Sequence, residues 1–477
     1  MNFFSKFRKA PTEEDLYIRY GPDIVQAVNS CFPDTSTASD GSSEARKERQ
    51  RWARILHDMQ RLGSYSSGNT VELLDTGDVA IPAMVKSIDA AQSHVWFESY
   101  IVDSSEPSRT IIDALIRAAN RGCDVIAILD YCGCLDFKWR DDLIDAGVTV
   151  VNFNPALFSS VPGKVVGPFY FRDHRKILIA DDTAFCGSMN IHAETAGPKI
   201  PGGTATFHDT HMKLQGPCVA QLGEVVRDTL AESASGISRH PLQPSQPKKD
   251  GVYVQVFQSN VQKSKRSIQL AISRLIDSAE RRLIIASSYF TPPGFLKRRI
   301  VGAVNRKIPT FLLVSGDSDF WPLPGDLLAQ THAIRKFVPR CDVREYSQRH
   351  MHSKFVSIDG CFSAVGSFNF DRWSSRRNLE VMVGVMDRKF TAQLENVHAE
   401  LAACTPRSDI ETWKFQLWWA RAACAASYWV MKITGKNMFD GFDSHDQTWK
   451  LQKENLCRKL DASVPIALAT SAMWGFH

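Results

Sequence analysis

Two stretches decide how this chain reads: HRKILIADDTAFCGSMN, from His174 to Asn190, and HSKFVSIDGCFSAVGSFN, from His352 to Asn369. Both run His-x-Lys, four residues, Asp, then Gly-Ser-x-Asn, with five residues between Asp and Gly in the first and six in the second. One extra residue in a hairpin turn accounts for the difference. Ile177-Leu178-Ile179 and Phe355-Val356 have the apolar character of strands, in which side chains alternate faces. His174 then shares a face with Lys176, and His352 with Lys354. Asp181 and Asp359 begin the turns, and the returning strands put Ser188 beside Asn190 and Ser367 beside Asn369. Gly187 and Gly366 leave room for a ligand to approach the backbone. A single His-x-Lys is surface noise in most chains; two complete copies at near-equal spacing are not.

Each copy therefore presents an imidazole, an ammonium, a hydroxyl and a carboxamide on one surface. That set suits a phosphodiester. Lys and Asn neutralise and orient non-bridging oxygens, which leaves the imidazoles for covalent and proton-transfer work. One imidazole cannot easily do both, because attack on phosphorus needs it neutral and protonation of a leaving alkoxide needs it charged; two histidines resolve this. A histidine so used has a carboxylate behind its other nitrogen. Asp209, in FHDTHMKLQGP, and Glu380, in RRNLEVMVG, stand at matching points downstream and are the candidates, Asp209 to orient His174 and Glu380 to orient His352. The spacing suits Asp181 and Asp359 better as turn and fold supports. His350 reads as supporting or structural, and His192 and His211 carry no assignment.

Outward from the motifs, a larger pattern repeats. Helix Ala83 to Ala91, strand Val95 to Val102, helix Thr110 to Asn120 and strand Val125 to Leu129 precede the first motif. Helix Ile268 to Ser278, strand Leu283 to Phe290, helix Phe295 to Asn305 and strand Thr310 to Val314 precede the second. Alternating helices and strands imply an α/β fold with mostly parallel or mixed sheets flanked by helices. A repeat of this size implies two similar lobes related by a pseudo-twofold axis. SGISRHPLQPSQPKK, from Ser235 to Lys249, reads as the linker between them. DTSTASDGSSE, from Asp34 to Glu44, reads as a disordered loop, followed by a helix from Ala45 to Leu62. The chain divides into an N-terminal helical or disordered extension (1–65), a first lobe (66–234), a linker (235–250), a second lobe (251–407) and an aromatic C-terminal region (408–477). In the last, Trp413, Trp418, Trp419, Tyr428 and Trp429 crowd together with Lys414, Arg421 and Lys432. The region reads either as a helix packed on the second lobe or as an interfacial helix at a membrane surface.

At 477 residues the chain is long enough for two cores. A net charge of +5 is small for that length and does not favour nucleic acid as a partner. The 11 cysteines are scattered, without Cys-x-x-Cys pairs, and read as reduced structural thiols rather than a zinc site. Arg421 and Lys432 interrupt the best apolar run, so no spanning helix is expected. The basic, aromatic start with Phe3, Phe4 and Phe7 reads as a frayed terminus, an organelle-targeting start or a membrane-surface anchor.

The paired runs resemble the two HKD motifs of the phospholipase D superfamily, over roughly Gly68 to Asp387. FESYIVD, FRDHRKILIADDTAFCGSMNI, HDTHMKLQGP, SSYFTPPGF, HMHSKFVSIDG and SFNFDRWSSRRNLEV are similar to segments of bacterial-type cardiolipin synthases. The family's usual pair of N-terminal spanning helices is missing, a His stands in HDTH where Arg is commoner, and Gly187-Ser188 stands where two glycines are frequent. The resemblance implies two phospholipase D-like lobes sharing one site, with His174, Lys176, Asp181, His352, Lys354 and Asp359 as motif residues and Ser188, Asn190, Asp209, Ser367, Asn369 and Glu380 supporting them. It implies a phosphohistidine intermediate, attack by His174, proton transfer by His352, and no metal or cofactor. It further implies transphosphatidylation on phospholipid, phosphatidylglycerol above all, at a peripheral position on the cytoplasmic face of a bacterial membrane, or in mitochondria for a eukaryotic chain. A phosphodiesterase or nuclease, and a non-catalytic lipid-binding protein, are the alternatives.

Overall fold

The structure, a computed structural model, describes residues 13–33, 39–154, 171–233, 235–260, 263, 265–318, 325–409, 411 and 417–434. The Phe3, Phe4 and Phe7 cluster, Asp34 and Trp413 lie outside these residues.

The first lobe carries β1 (Ser64–Leu74), β2 (His94–Ser99), β3 (Asp124–Asp130), β4 (Thr149–Phe153), β5 (Arg172–Asp173), β6 (Lys176–Ala180), β7 (Thr183–Gly187), β8 (Phe207–His208) and β9 (His211–Gln215). The second carries β10 (Val252–Asn260), β11 (Lys265–Arg266), β12 (Leu283–Ser287), β13 (Thr310–Ser315), β14 (Asp342–Tyr346), β15 (His350–Met351), β16 (Phe355–Ile358), β17 (Phe362–Gly366) and β18 (Asn378–Met386). The lobes are not separate sheets. One sheet runs β14-β13-β12-β16-β17-β18-β10-β1-β9-β7-β6-β2-β3-β4. Its order reads the same from either edge, so the pseudo-twofold axis passes between β10 and β1, which pair antiparallel. The sheet is mixed. β2, β3 and β4 pair in parallel, as do β12, β13 and β14. The remaining neighbours on the path pair antiparallel, because each motif folds back on itself as a hairpin.

The hairpins explain the spacing difference. β6 and β7 are joined by two residues, Asp181 and Asp182, and β16 and β17 by three, Asp359, Gly360 and Cys361. Asp181 and Asp359 both have positive φ, 49° and 56°. Asp tolerates that conformation when its side chain bonds nearby backbone. Asp181 accepts the amides of Gln92 (2.7 Å), Ser93 (3.1 Å) and His94 (2.9 Å). Asp359 accepts those of Glu280 (3.1 Å), Arg281 (2.7 Å) and Arg282 (3.0 Å). Each aspartate thus ties its motif hairpin to the start of the neighbouring strand, at the end of the sheet away from the histidines.

The glycines do something other than admit a ligand. A Cβ on Gly187 would lie 2.5 Å from the Thr210 carbonyl oxygen, and one on Gly366 2.1 Å from that of Val381. The close approach belongs to the adjacent strand. Ser188 and Ser367 next bond those same carbonyls through their amides, at 2.9 Å each.

Helices cover both faces by burying one stripe each. Glu106–Asn120 buries Ile111, Ile112, Leu115 and Ala118 on the first lobe. Cys218–Glu232 and Arg388–Ala403 cover the central seam, where Val225, Leu394 and Val397 join Val254, Val256, Ile177 and Val381 in one cluster drawn from both lobes. The N-terminal segment belongs to the second lobe. Ile24, Val28, Trp52 and Leu56 pack with Phe257, Ile272, Phe362 and Met382. Of the expected loop from Asp34 to Glu44, residues 34–38 lie outside the described residues and the rest is helical, in a helix that begins at Ser39 and runs to Met59. That helix brings Arg51 to within 2.8 Å of Asp359. The C-terminal helix, Trp418–Thr434, rests on Gly325–Ile334, with Tyr428 stacked on His332 at 4.9 Å.

The two turn aspartates differ in burial, and their stabilities should differ accordingly. The Asp359 side chain is 1% exposed and that of Asp181 29%. Removing one member of a buried pair leaves an uncompensated charge, at about 3–5 kcal/mol; the amides that remain on Asp359 bring the expected loss for Arg51→Ala to about 2–4 kcal/mol. Asp181→Ala should cost about 1–2 kcal/mol. Urea melts of the three proteins check the order, and an Asp181 loss exceeding that of Arg51 would refute it.

Candidate active site

The two motif histidines start on strands too short to stand alone, and each is held by the other lobe. β5 pairs in parallel with β18, Asn378 opposite Arg172 and Leu379 opposite Asp173. β15 pairs in parallel with β8, His350 opposite Phe207 and Met351 opposite His208. The bonding continues one residue further, with the His174 amide donating to Leu379 O (3.0 Å) and the His352 amide to His208 O (2.8 Å). Glu380 and Asp209 are the next residues along.

This geometry corrects the expected pairing. His174 Nδ1 lies 3.1 Å from Glu380 Oε2, and His352 Nδ1 lies 2.7 Å from Asp209 Oδ1. Each carboxylate serves the histidine of the opposite lobe. The spacing placed Asp209 and Glu380 at the right points of the repeat, but the crossing follows from the inter-lobe strand pairs, which no local pattern reveals.

The motif serines support the histidines through the carboxylates. Ser188 Oγ donates to Asp209 Oδ1 at 2.6 Å, and Ser367 Oγ donates to Glu380. Both hydroxyls are used behind the histidines, on the carboxylates, and are not offered to a ligand. Asn190 and Asn369 are buried, and neither carboxamide oxygen has a protein partner. Lys176 Nζ donates to the His174 carbonyl at 2.7 Å, and Lys354 Nζ to that of His352. These bonds fold each ammonium back beside its own imidazole.

The charges of the two lobes act on one another across a single site. Burial first, then the charges of Lys176 and Lys354, push His174 down to about 4, against the pull of Glu380. His352 is held well below the usual imidazole value by burial, with Asp209 opposing and Lys354 adding to it. Burial pushes Lys176 down to about 8, although Glu380, Asp173 and Asp209 pull it up. Burial raises Asp209, but the hydrogen bond from His352, the charge of Lys354 and the hydrogen bond from Ser188 outweigh it and hold the carboxyl well below the usual range. At neutral pH both imidazoles are therefore uncharged. With Nδ1–H facing a carboxylate, each leaves the Nε2 lone pair for chemistry.

Several residues around the site escaped the sequence reading. The Tyr100 ring meets His174 edge-on at 4.9 Å and lies under Lys176 Nζ at the same distance. Phe207 packs against His350 at 4.6 Å and His352 at 5.5 Å. His350 is supporting, with Ser288 Oγ at 3.1 Å and Ser315 Oγ at 3.3 Å on its two nitrogens. His192 is bound to Glu194 at 2.6 Å beside Phe207, and His211 is buried in β9. Arg175, between His174 and Lys176, points the other way by strand alternation and binds Thr229 Oγ1 (2.7 Å) and Gln258 Oε1 (3.0 Å). The repeat position of Tyr100 at a strand end was the available signal; Phe207 and Arg175 had none.

Two outcomes follow from this geometry. In the ligand-free protein, ¹⁵N-histidine NMR should show His174 gaining its second proton only as pH falls through about 4, with His352 also neutral at pH 6.5; a charged imidazole at pH 6.5 in either would contradict the burial. The crossed pairing gives the second. Asp209→Asn should cripple His352, and Glu380→Gln should cripple His174, each by about 10²–10⁴-fold in the step that histidine performs. Single-turnover labelling with a phosphodiester bearing a good leaving group separates the steps, and the opposite assignment of losses would restore same-lobe pairing.

The comparisons with known proteins agree with the duplicated frame. The family described as "Cardiolipin synthase, PLD-like domain" matches residues 84–197 and 272–401, one span in each lobe. Cardiolipin synthase A of Pseudomonas aeruginosa is 30% identical over 335 residues, which cover 69% of this chain and 66% of that protein. Cardiolipin synthase B of Escherichia coli is 27% identical over 371 residues, 75% of this chain and 86% of that protein. In fold, the crystal structure of phosphatidylserine synthase from Haemophilus influenzae matches with a TM-score of 0.62 at 13% identity, covering 80% of this chain and 98% of that one. With both lobes matched, each around one of the two crossed histidines, the chain belongs to the cardiolipin synthase, PLD-like family of the phospholipase D superfamily.

Proposed function

We propose that the protein is a phosphatidyltransferase of the cardiolipin synthase type, moving a phosphatidyl group from one phosphatidylglycerol to the glycerol hydroxyl of another. The observation that carries this reading is the pair of buried imidazoles, each tethered through Nδ1 to a carboxylate of the opposite lobe, with the Lys176 and Lys354 ammoniums each folded back onto its own histidine's carbonyl.

In the first half-reaction His174 Nε2 attacks phosphorus and forms a P–N bond. The P–O bond to glycerol breaks, and His352, protonated, gives its proton to the leaving oxygen. In the second, the acceptor hydroxyl gives its proton to His352 while its oxygen attacks phosphorus, and the P–N bond breaks. The diester is an anion. Set between Lys176 and Lys354, it offsets the like charges that depress the imidazoles and so raises the proton affinity of His352, as an acid requires. Glu380 and Asp209 stabilise whichever imidazole becomes cationic. Lys176 and Lys354 supply the charge neutralisation that a metal ion would otherwise provide, so the reaction is metal-independent. A phosphatidyl donor resides in a bilayer, which sets the work at a membrane surface. The cytoplasmic face of a bacterial membrane is the reading, with mitochondria its counterpart in a eukaryotic chain.

Product analysis tests this. Incubation with labelled phosphatidylglycerol should give cardiolipin and free glycerol, at a rate unchanged by excess chelator. His174→Asn and His352→Asn should each lose at least about 10²–10⁴-fold. With His352 replaced, a substrate bearing a good leaving group should still load phosphate onto His174. Phosphatidic acid as the sole product would make the protein a hydrolase, and release of label from single-stranded DNA would make it a nuclease.

A further inference from the structure

The C-terminal helix Trp418–Thr434 lies beyond both spans shared with the family. Its inner side is occupied: Cys424 is 3% exposed and Tyr428 stacks on His332. Its outer side is apolar and exposed, with Trp418 80%, Trp419 58%, Trp429 51% and Val430 59% exposed. At about 100° per residue these four fall with the exposed Ala422 and Ala426 in one arc of roughly 120°. The helix contains no carboxylate. Arg421 and Lys432 lie along one edge of the arc, Lys432 Nζ 3.8 Å from the centre of the Trp429 ring.

The neighbouring surface continues the same charge. Lys297 and Lys336 stand beside Arg335 and Lys432. Burial first, then these like charges, push Lys297 down to about 8. The helix beneath is joined to the site. Gln330 accepts from the Phe290 amide (2.9 Å) and donates to Ser315 O (2.6 Å), and Ser315 Oγ lies 3.3 Å from His350, two residues from His352. Arg372, just past Asn369, faces Tyr428.

We propose that Trp418–Thr434 is a docking helix that lays Trp418, Trp419 and Trp429 into the headgroup layer of an anionic phospholipid bilayer, with Lys297, Lys336 and Lys432 against the lipid phosphates. Indole favours that layer, and cations beside it add attraction to an anionic surface. Pairing with a second copy through the same stripe would bring the cationic flanks together, which disfavours that occupant. Seated this way, the helix turns the part of lobe 2 that carries His352 toward the lipid. Only this last consequence rests on the phosphatidyltransferase reading.

The test uses the full chain and its Trp418→Ser/Trp419→Ser/Trp429→Ser variant in sedimentation with vesicles of phosphatidylcholine alone or of equimolar phosphatidylglycerol and phosphatidylcholine. The parent should bind the anionic vesicles and show blue-shifted tryptophan emission. The variant should bind at least about tenfold more weakly, and Lys297→Gln/Lys336→Gln/Lys432→Gln should remove most of the preference for anionic lipid. Both variants should keep the parent's circular dichroism and its activity on a water-soluble short-chain phosphatidylglycerol. If the parent has no transferase activity, the function reading falls while the vesicle result still decides the docking. Undiminished binding by the tryptophan variant overturns the proposal. So does a solution dimer that this variant dissolves, which would make a second copy the occupant, or shielding of the tryptophans from acrylamide without lipid, which would make it the chain's own C-terminal segment.

Discussion

The structure depends on a crossing: the histidine of each lobe is held by a carboxylate and a short parallel strand of the other. Neither His174 nor His352 could be set by its own lobe, because β5 and β15 are two residues long and find their partners in β18 and β8. The lobes must therefore stay in register to within a hydrogen bond. The antiparallel β1–β10 pair at the centre of the sheet, and the core cluster drawn from both lobes, supply that rigidity. A hinge at the seam would break both histidine–carboxylate pairs at once. Substrate entry must use side chains and loops, and cannot use separation of the lobes.

Burial sets the electrical state of the site. Two lysines and two imidazoles share a space from which water is largely excluded, so the cheapest charges to lose are those on the imidazoles. Burial leaves both imidazoles neutral at neutral pH, while it pushes Lys176 down only to about 8. On the proposed mechanism, a phosphodiester beside the lysines would add a negative charge and raise the proton affinity of the imidazole that acts as acid.

Much of this was legible in the sequence, and the parts that were not share a cause. The repeat, the hairpins and the one-residue spacer difference are local, so strand periodicity and turn chemistry carried them. Asp181 and Asp359 read as turn supports because Asp at the start of a tight hairpin can tolerate positive φ. Gly187 and Gly366 were read for a ligand and serve a neighbouring strand, since a glycine signals close approach without naming what approaches. Ser188 and Ser367 share a strand face with Asn190 and Asn369, but which partner a hydroxyl finds depends on a carboxylate brought in by the next strand. The swap of Asp209 and Glu380 is the sharpest case. A duplicated sequence fixes matching positions in each half and is silent on whether the halves exchange partners.

The two halves have kept their frame and lost their symmetry beneath it. Strand register makes Glu98 equivalent to Ala286, Asp173 to Met351 and Arg175 to Ser353. Arg172 bonds Asp130 at 3.2 Å where His350 meets Ser315 at 3.3 Å. Under His174 lies a buried set of ionisable groups, in which burial raises Glu98 and raises Asp173 well above the usual range, the charge of Glu98 adding to the latter. Under His352 the equivalent positions hold no carboxylate and no guanidinium. Lobe 2 shows that the frame folds without those ions, and burying them costs more than burying Ala, Met and Ser. Their presence in lobe 1 is therefore not a requirement of the fold. What they change is the potential at Lys176, which feels Asp173 and Asp130 as well as Glu380 and Asp209. Two imidazoles with matching partners thus stand over unlike foundations, and a reaction that asks one to attack and the other to carry a proton has a physical basis for telling them apart.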